Sequence, residues 1–466
     1  MKKTTRTISG ITPVALMTKP MGCPGHCIYC PTFSATPQSY TPDSPAVIRA
    51  RAHEYDAARQ VEARLKTLAD MGHPIEKIEL IIMGGTFPAA SPDYQYNFIK
   101  DSFDALNGVK SSSLAEAQRL NETALHRCTG LCIETRPDFC NQPEIDRMLE
   151  FGCTRVELGV QMLSDSIYQI VRRGHSVADV ARASALLRQN AIKVHYHWMP
   201  GLPGSTPEED LRLSRIIFED DRFRPDGIKI YPTMVVDGTE LQQWYRDGRY
   251  QPYHEETMLD LIARIKAGVP KYVRISRVLR DIPAKYIVGG LRDSMRDPLR
   301  LRMKEMGLQC RCIRCREYGF RLRDKQPIGE PQLTRLDYTA SGGREIFLSF
   351  EDEFETLFGL IRLRIQDEPA PRLADGMKES CGLIRELHVF GPEIPLSQRQ
   401  EGAAQHKGYG RALLKEAERI AKEEFGKQYC AVLSGVGARD YYRGEGYELR
   451  GYYMVKRLAE EVCHDM

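Results

Sequence analysis

The first 280 residues alternate short apolar runs with longer amphipathic ones, and this alternation constrains the fold more than any other feature. Runs of strand type are VALMTKP (14–20), IELIIMGGT (78–86), LCIET (131–135), RVELGVQ (155–161), KVHYHWMPG (193–201) and GIKIYPTMV (227–235). Helical patterns such as EYDAARQVEARLKTLADMG and ADVARASALLRQN lie between them. A chain that returns through a helix to each new strand builds βα units and a parallel sheet. Six such strands predict a complete or partial βα barrel, in which binding groups stand just beyond the C-terminal strand ends. Polar and glycine-rich residues fall at those ends. Gly84, Gly85 and Thr86 follow strand two, and Glu134 and Arg136 end strand three. Strand four carries Glu157, Gly159 and Gln161, and MPGLPGS follows strand five.

After residue 280 the pattern changes. RDIPAKYIVGGLRDSMRDPLRLRMKEMG is basic and broken by Pro and Gly, and QCRCIRCRE follows it with Cys310, Cys312 and Cys315. Strand-like segments return from Leu333: REIFLSFED, LFGLIRLRI and CGLIRELHVFG, then the helix GRALLKEAERIAKEEFG, then CAVLSGVG and GYYMVKRL. The expected organisation is an N-terminal tail (1–13), a βα domain (14–280), a basic Cys-containing linker (281–330) and an α+β domain (331–466). Two or three domains suit 466 residues.

Composition excludes several classes. With 42% hydrophobic and 28% charged residues, the chain is of globular type. No run of 18 apolar residues predicts a membrane span, and no apolar core follows the basic start MKKTTRTISG, so a cytoplasmic protein is expected. Thirteen cysteines in that compartment point to metal ligation or redox chemistry. The net charge is only +3, but residues 271–325 hold 16 Lys or Arg against six Asp or Glu. That asymmetry predicts a polyanion contact, against the plainer reading of a solvated charge run.

GCPGHCIYC places Cys23, Cys27 and Cys30 at C-x3-C-x2-C spacing, directly after the first strand. A structural zinc site wants four ligands. Three thiolates on one loop suit a [4Fe–4S] cluster whose fourth iron stays open, and the amino and carboxylate groups of S-adenosylmethionine can chelate that iron. One electron from such a cluster cleaves the sulfonium to a 5′-deoxyadenosyl radical. The stretch resembles the radical S-adenosylmethionine superfamily over residues 10–280. The resemblance implies that Gly84, Gly85 and Thr86 hold the methionine end, that Glu134 contributes to the cofactor site, and that Tyr29 packs near the adenine.

In QHKGYGRALLKEAERI, Gly408 and Gly410 let the backbone approach a pyrophosphate, and the following helix offers its N-terminus. The segment resembles the GNAT acetyltransferase signature Q/R-x-x-G-x-G/A. That implies an acetyl-CoA site with Glu386, Leu387, His388 and Val389 along the pantetheine arm. Tyr409, Gly410, Arg411 and Ala412 would lie at the pyrophosphate, and Tyr442 of RDYYRGEGYE at the thioester.

With TPQSYTPDS, IIMGGTFPA, IETRPDFC and SGVGARDYYRGEGYELRGYYMVKRL added, the chain from about residue 10 to 458 resembles the family of Elongator catalytic subunits in their stand-alone prokaryotic form. The resemblance implies formation of 5-carboxymethyluridine at the tRNA wobble position. The acetyl methyl of acetyl-CoA would lose a hydrogen to the 5′-deoxyadenosyl radical and add to C5, followed by re-aromatisation and thioester hydrolysis. It further implies that Lys77 contacts acetyl-CoA from the barrel. Separately, the C-x-C-x2-C spacing of Cys310, Cys312 and Cys315 suits three ligands of a structural zinc, with a fourth ligand the sequence does not name, against the plainer reading of reduced spare thiols. Lys271, Arg274, Arg277, Arg280 and Lys285 would grip the tRNA anticodon stem-loop without other Elongator subunits. Only 22 residues precede Cys23, so the tRNA grip is expected to be distributed differently from relatives with a basic N-terminal extension. The rivals are a protein lysine acetyltransferase with a structural iron–sulfur domain, and a non-catalytic tRNA-binding scaffold.

Overall fold

The computed structural model describes residues 7–291, 295–368, 373, 381–391 and 408–458. β1 (Thr12–Met17), β2 (Lys77–Met83), β3 (Arg127–Thr135), β4 (Arg155–Gln161), β5 (Lys193–Trp198) and β6 (Gly227–Ile230) lie side by side in chain order, all parallel. After the short β7 (Val235–Val236) comes a seventh parallel strand, β8 (Arg274–Val278), beside β6. Six strands were expected; RISRV was masked by its charge, although its residues alternate. Ile275 is buried, while Arg274 and Ser276 face the cavity inside the sheet. β1 and β8 are the two edges, so the barrel is partial, as expected.

Alternation along the barrel strands separates the outer core from the lumen. Leu80, Ile82, Leu158, Val194 and Ile230 are fully buried, while their neighbours Glu79, Ile81, Glu157, His195 and Lys229 line the lumen. The covering helices carry local start signals. Asp56 caps Ala57–Asp70 by accepting from the Arg59 N–H at 2.8 Å, and Ser176 with Asp179 forms a capping box for Val177–Gln189.

The basic stretch expected as a linker packs against the barrel. β9 (Ile287–Gly289) pairs with β7, and the helix Arg296–Glu305 is held to Glu255–Ala267 by Arg302 on Asp260 at 2.5 and 3.1 Å.

The second domain is the expected α+β unit. β10 (Gln332–Ala340), β11 (Gly343–Glu351), β12 (Leu357–Ile365) and β13 (Cys381–Val389) form an antiparallel meander. β14 (Tyr429–Val432) runs parallel to β13, and β15 (Glu448–Arg450) and β16 (Tyr453–Arg457) complete the sheet beyond it. β13 pairs with β14 only from Cys381 to Ile384, so Arg385–Val389 diverges from its neighbour. The helix Tyr409–Arg419 buries Leu413, Leu414 and Ala417 in this domain's core.

A buried charge network joins the domains. Arg385 donates to both carboxylate oxygens of Asp226 at 2.8 and 2.6 Å and to Glu345 at 2.9 Å. Arg362 reaches Glu386 at 2.7 Å, and the side chains of Asp226, Arg385 and Glu345 are at most 1% exposed. Burial alone would raise Asp226, but Arg385 and Arg362 hold its carboxyl well below the usual range. The ring of Tyr272 stacks on Tyr338 at 4.1 Å across the same junction. A Cβ at Gly437 would lie 2.5 Å from that of Arg127, so glycine lets the second domain sit directly on the start of β3.

Candidate active site

The three cysteines of the first motif stand on the loop after β1. That loop is pinned by the Ile28 N–H donating to the Val171 carbonyl at 3.2 Å and by Leu241 N–H donating to the Ile28 carbonyl at 2.9 Å. Cys23, Cys27 and Cys30 all line one cavity of about 790 Å³, with Tyr29 buried between the last two. Burial, reinforced by neighbouring Cys27, pushes the Cys30 thiol up to about 11, against a hydrogen bond from Gln38 Nε2 at 3.4 Å. Thr86 Oγ1 lies 3.8 Å from Cys23 Sγ, and Gly85 and Thr86 share the cavity wall. Gly84 has φ +131° and Gly85 φ +96°; a side chain on Gly84 would collide with Thr18. The expected glycine pair and the cysteine loop are therefore brought together.

Behind them the lumen is charged. Lys229 lies between Glu134, at 3.1 Å, and Glu157, to which it is also paired. His197 Nε2 is 2.9 Å from Glu157, and the Tyr40 hydroxyl donates to Glu134 at 3.2 Å. Burial would raise Glu157, but Lys229, His197 and Arg155 hold it well below the usual carboxylate range. Ligand atoms of Glu134, Glu157 and His197 lie within 4.8 Å of one another, a cation-binding arrangement in which the Lys229 ammonium already sits. Of these, the sequence points to Glu134 as a cofactor residue and to Glu157 by its position on strand four. Lys193, His195, His197 and Lys229 carry no motif, although the alternation in KVHYHW places polar groups at three successive lumen positions.

The far end of the same cavity is closed by the second domain. Glu386, His388 and Phe390 line it, and Lys193 Nζ meets Glu386 at 3.1 Å. The cavity thus runs from the three thiols, through the barrel, to the diverging half of β13. Leu387 and Val389 point to the other face of β13, where a Cβ on Gly410 would lie 3.5 Å from Val389 Cγ2. Gly408, at φ +81°, opens the helix that carries Tyr409, Gly410, Arg411 and Ala412. Tyr409 packs its ring on Phe350 at 4.8 Å, and Arg411 pairs with Glu445 at 2.8 Å. Gln405, His406 and Lys407 of the glycine motif lie outside the described residues.

Tyr442 is 6% exposed and sits in the second domain's core against Tyr447, while Tyr441 is 43% exposed and brings its hydroxyl to Gly410. Lys77 is the first residue of β2, opposite Arg127, at the end that meets the second domain and away from the cysteines. Neither Tyr442 nor Lys77 lines the cavity.

The five cations expected at tRNA have internal partners. Lys271 pairs with Glu351 (3.1 Å) and Glu355 (2.8 Å), Arg274 with Glu317, Arg277 with Asp281 (2.7 Å) and Lys285 with Asp43 (2.5 Å). Arg280 donates to the Ser39 hydroxyl at 2.7 Å. Arg274, Arg277 and Arg280 nevertheless line the cavity. The sulfurs of Cys310, Cys312 and Cys315 lie within 4.8 Å of one another, and Asp324 and Gln326 line the small pocket beside Cys310 and Cys315. Three sulfurs so gathered could hold a metal ion.

Residues 18–215 match the radical SAM superfamily and residues 225–305 the radical SAM C-terminal domain. The chain is 64% identical over 458 residues to the tRNA uridine(34) acetyltransferase of Dehalococcoides mccartyi (strain CBDB1), covering 98% of this chain and 100% of the relative. It is 42% identical over 470 residues to Elongator complex protein 3 of Homo sapiens, covering 98% and 86%. The solved structure of the archaeal Methanocaldococcus infernus Elp3 with N-terminus deletion (1-46) matches with a TM-score of 0.86 at 46% identity, over 97% of this chain and 100% of that one.

Proposed function

Because the chain belongs to the family of the tRNA uridine(34) acetyltransferases and Elongator complex protein 3, we propose that it builds a carboxymethyl group on C5 of the wobble uridine of tRNA, using acetyl-CoA and radical chemistry. The observation that carries this reading is the single cavity shared by the cysteine loop and β13. Neither C5 of uracil nor an acetyl methyl reacts unaided with the other, so their C–C bond calls for a radical, and the two halves of such chemistry need one enclosed space.

Cys23, Cys27 and Cys30 would hold a [4Fe–4S] cluster. The donor set supports this: three thiols on a pinned loop, with the Arg136 Nη1 buried beside Gly25 and lacking a hydrogen-bond partner among the described residues. The cluster would supply the electron that cleaves S-adenosylmethionine. The backbone of Gly84 and Gly85 would bind the methionine end, with Thr86 and Glu134 beside it. The diverging half of β13, from Glu386 to Val389, would lie along the pantetheine arm of acetyl-CoA. Tyr409 to Ala412 would hold its pyrophosphate, beside the exposed Tyr441 whose hydroxyl lies near Gly410; Lys77 and Tyr442 would be acetyl-CoA contacts by family resemblance alone, since neither lines the cavity. The anticodon loop would enter at the rim formed by Arg277 and Arg280, with Lys271, Arg274 and Lys285 exchanging acidic partners for phosphates. Cys310, Cys312 and Cys315 would bind a structural zinc. Among the described residues no helix is long and apolar enough to cross a membrane, and the activity belongs where tRNA is, in the cytoplasm.

The test is anaerobic incubation of reconstituted protein with reductant, S-adenosylmethionine, acetyl-CoA and tRNA, followed by nucleoside mass spectrometry. 5-Carboxymethyluridine is expected. Its absence from a preparation whose cluster is verified spectroscopically would overturn the reading.

A further inference from the structure

Arg173 is a buried cation without a carboxylate. It is 6% exposed, and among the described residues it makes no ion pair. Its Nη1 donates to Cys27 Sγ at 3.4 Å, its Nε to His175 Nε2 at 3.1 Å, and its Nη2 to the Gly159 carbonyl. Because His175 Nε2 accepts, that imidazole is neutral; burial and the Arg173 charge push it down to about 3. A guanidinium is always charged, and burying it against neutral groups alone is costly. The Cys27 sulfur, 3.4 Å from Nη1, is a place where balancing negative charge sits once it is a thiolate.

The surroundings are shaped to admit it. A Cβ at Gly159 would lie 2.6 Å from Arg173 Nη2. The second buried guanidinium, Arg136, binds Asp138 at 2.9 and 2.8 Å and turns its remaining nitrogen toward the loop. A Cβ at Gly174 would lie 3.1 Å from its Nη2, and one at Gly25 would collide with its Nη1. Glycines thus make room for two guanidiniums against the cysteine loop.

We propose that Arg173 is the fixed countercharge of the sulfur ligands, and that it raises the reduction potential of the cluster they hold. The inference rests on the reading that Cys23, Cys27 and Cys30 bind a [4Fe–4S] cluster. One electron from a low-potential one-electron donor takes the core from 2+ to 1+, so with three thiolates the total charge goes from 1− to 2−. A cation beside a ligand sulfur stabilises the more negative state more strongly. Removing it lowers the potential and makes reduction harder.

The test uses the full-length protein, reconstituted anaerobically with iron and sulfide. R173Q and the parent are titrated reductively and followed by electron paramagnetic resonance. R173Q is expected to show a lower midpoint potential and about tenfold slower 5′-deoxyadenosine formation with a weak reductant, recovering with a stronger one. R173K, which keeps the charge but loses the fork, is expected to fall between. G159A, which displaces Nη2 without removing the charge, is expected to shift the potential the same way by less. A parent-like potential in R173Q overturns the inference. If R173Q takes up no iron, R173K and G159A decide: parent-like potentials in both overturn it, and a lowered potential in either supports it. A parent protein that binds no cluster overturns the underlying reading instead.

Discussion

Two trios of cysteines stand in this chain, and the difference between them separates chemistry from architecture. Cys310, Cys312 and Cys315 gather their sulfurs within 4.8 Å of one another, a span that one ion bridges. Their neighbours tie barrel to second domain: the Ile313 N–H donates to the Val273 carbonyl at 2.9 Å, and Arg316 pairs with Glu351 at 2.8 Å. Cys23, Cys27 and Cys30 instead face a cavity of about 790 Å³ that continues into a charged lumen. A trio gathered at a junction suits a structural ion; one that faces a cavity leaves room for a ligand and a substrate.

The largest effect should come from breaking the open trio. Cys27→Ser is expected to lower iron uptake and to cut product and 5′-deoxyadenosine about a hundredfold or more, with tRNA binding retained. Equal loss of tRNA binding would show the loop to be structural. Next is the lumen behind it. Lys229→Met leaves Glu134 and Glu157 without their shared cation and should reduce product about tenfold to a hundredfold while the cluster's absorbance stays intact. Loss of the cluster signal in this variant would contradict the separation of lumen from cysteine loop.

Breaking the closed trio should act on stability. Cys312→Ser is expected to abolish uptake of the proposed zinc ion and to cost about 2 kcal/mol in denaturant unfolding, with turnover per folded molecule within about threefold of the parent. A collapse of turnover at unchanged stability would erase the distinction between the trios. The smallest effect is a pH dependence confined to the open trio's side. His175 has a folded pKa of about 3 against 6.5 when free. Its contribution is therefore complete above the free value and lost as pH falls from 6.5 toward 3. Between about pH 7.5 and 6 the loss is roughly 1 kcal/mol, and His175→Gln should flatten that slope in the unfolding free energy.

Strand order and the cysteine loop were legible in the sequence because both are local. Apolar runs bounded by helices name a parallel sheet, and C-x3-C-x2-C keeps three thiols within eight residues of chain. The lumen was not legible in the same way. His197 and Lys229 come from different strands, and each reads as a stray polar residue in a buried run until the sheet curls and brings both to Glu157. β8 was hidden because arginines on a lumen-facing strand look like a basic linker. The cations of that stretch illustrate the limit of charge counting: a net excess says nothing of Glu351, Asp281 and Asp43, which fold back onto Lys271, Arg277 and Lys285. The tyrosine pair is the finest case. RDYYRG cannot say which ring faces the core, and a one-residue step along the short helix Arg439–Arg443 sends Tyr442 inward and Tyr441 toward Gly410.

On the proposed function, radical chemistry at the cysteine loop reaches the acetyl group of acetyl-CoA. The most direct measurement uses acetyl-CoA carrying three deuterons on its acetyl methyl, incubated anaerobically with reduced protein, S-adenosylmethionine and tRNA. Mass spectrometry of the 5′-deoxyadenosine released should show one deuterium in it. Unlabelled 5′-deoxyadenosine, formed alongside modified tRNA, would contradict the account.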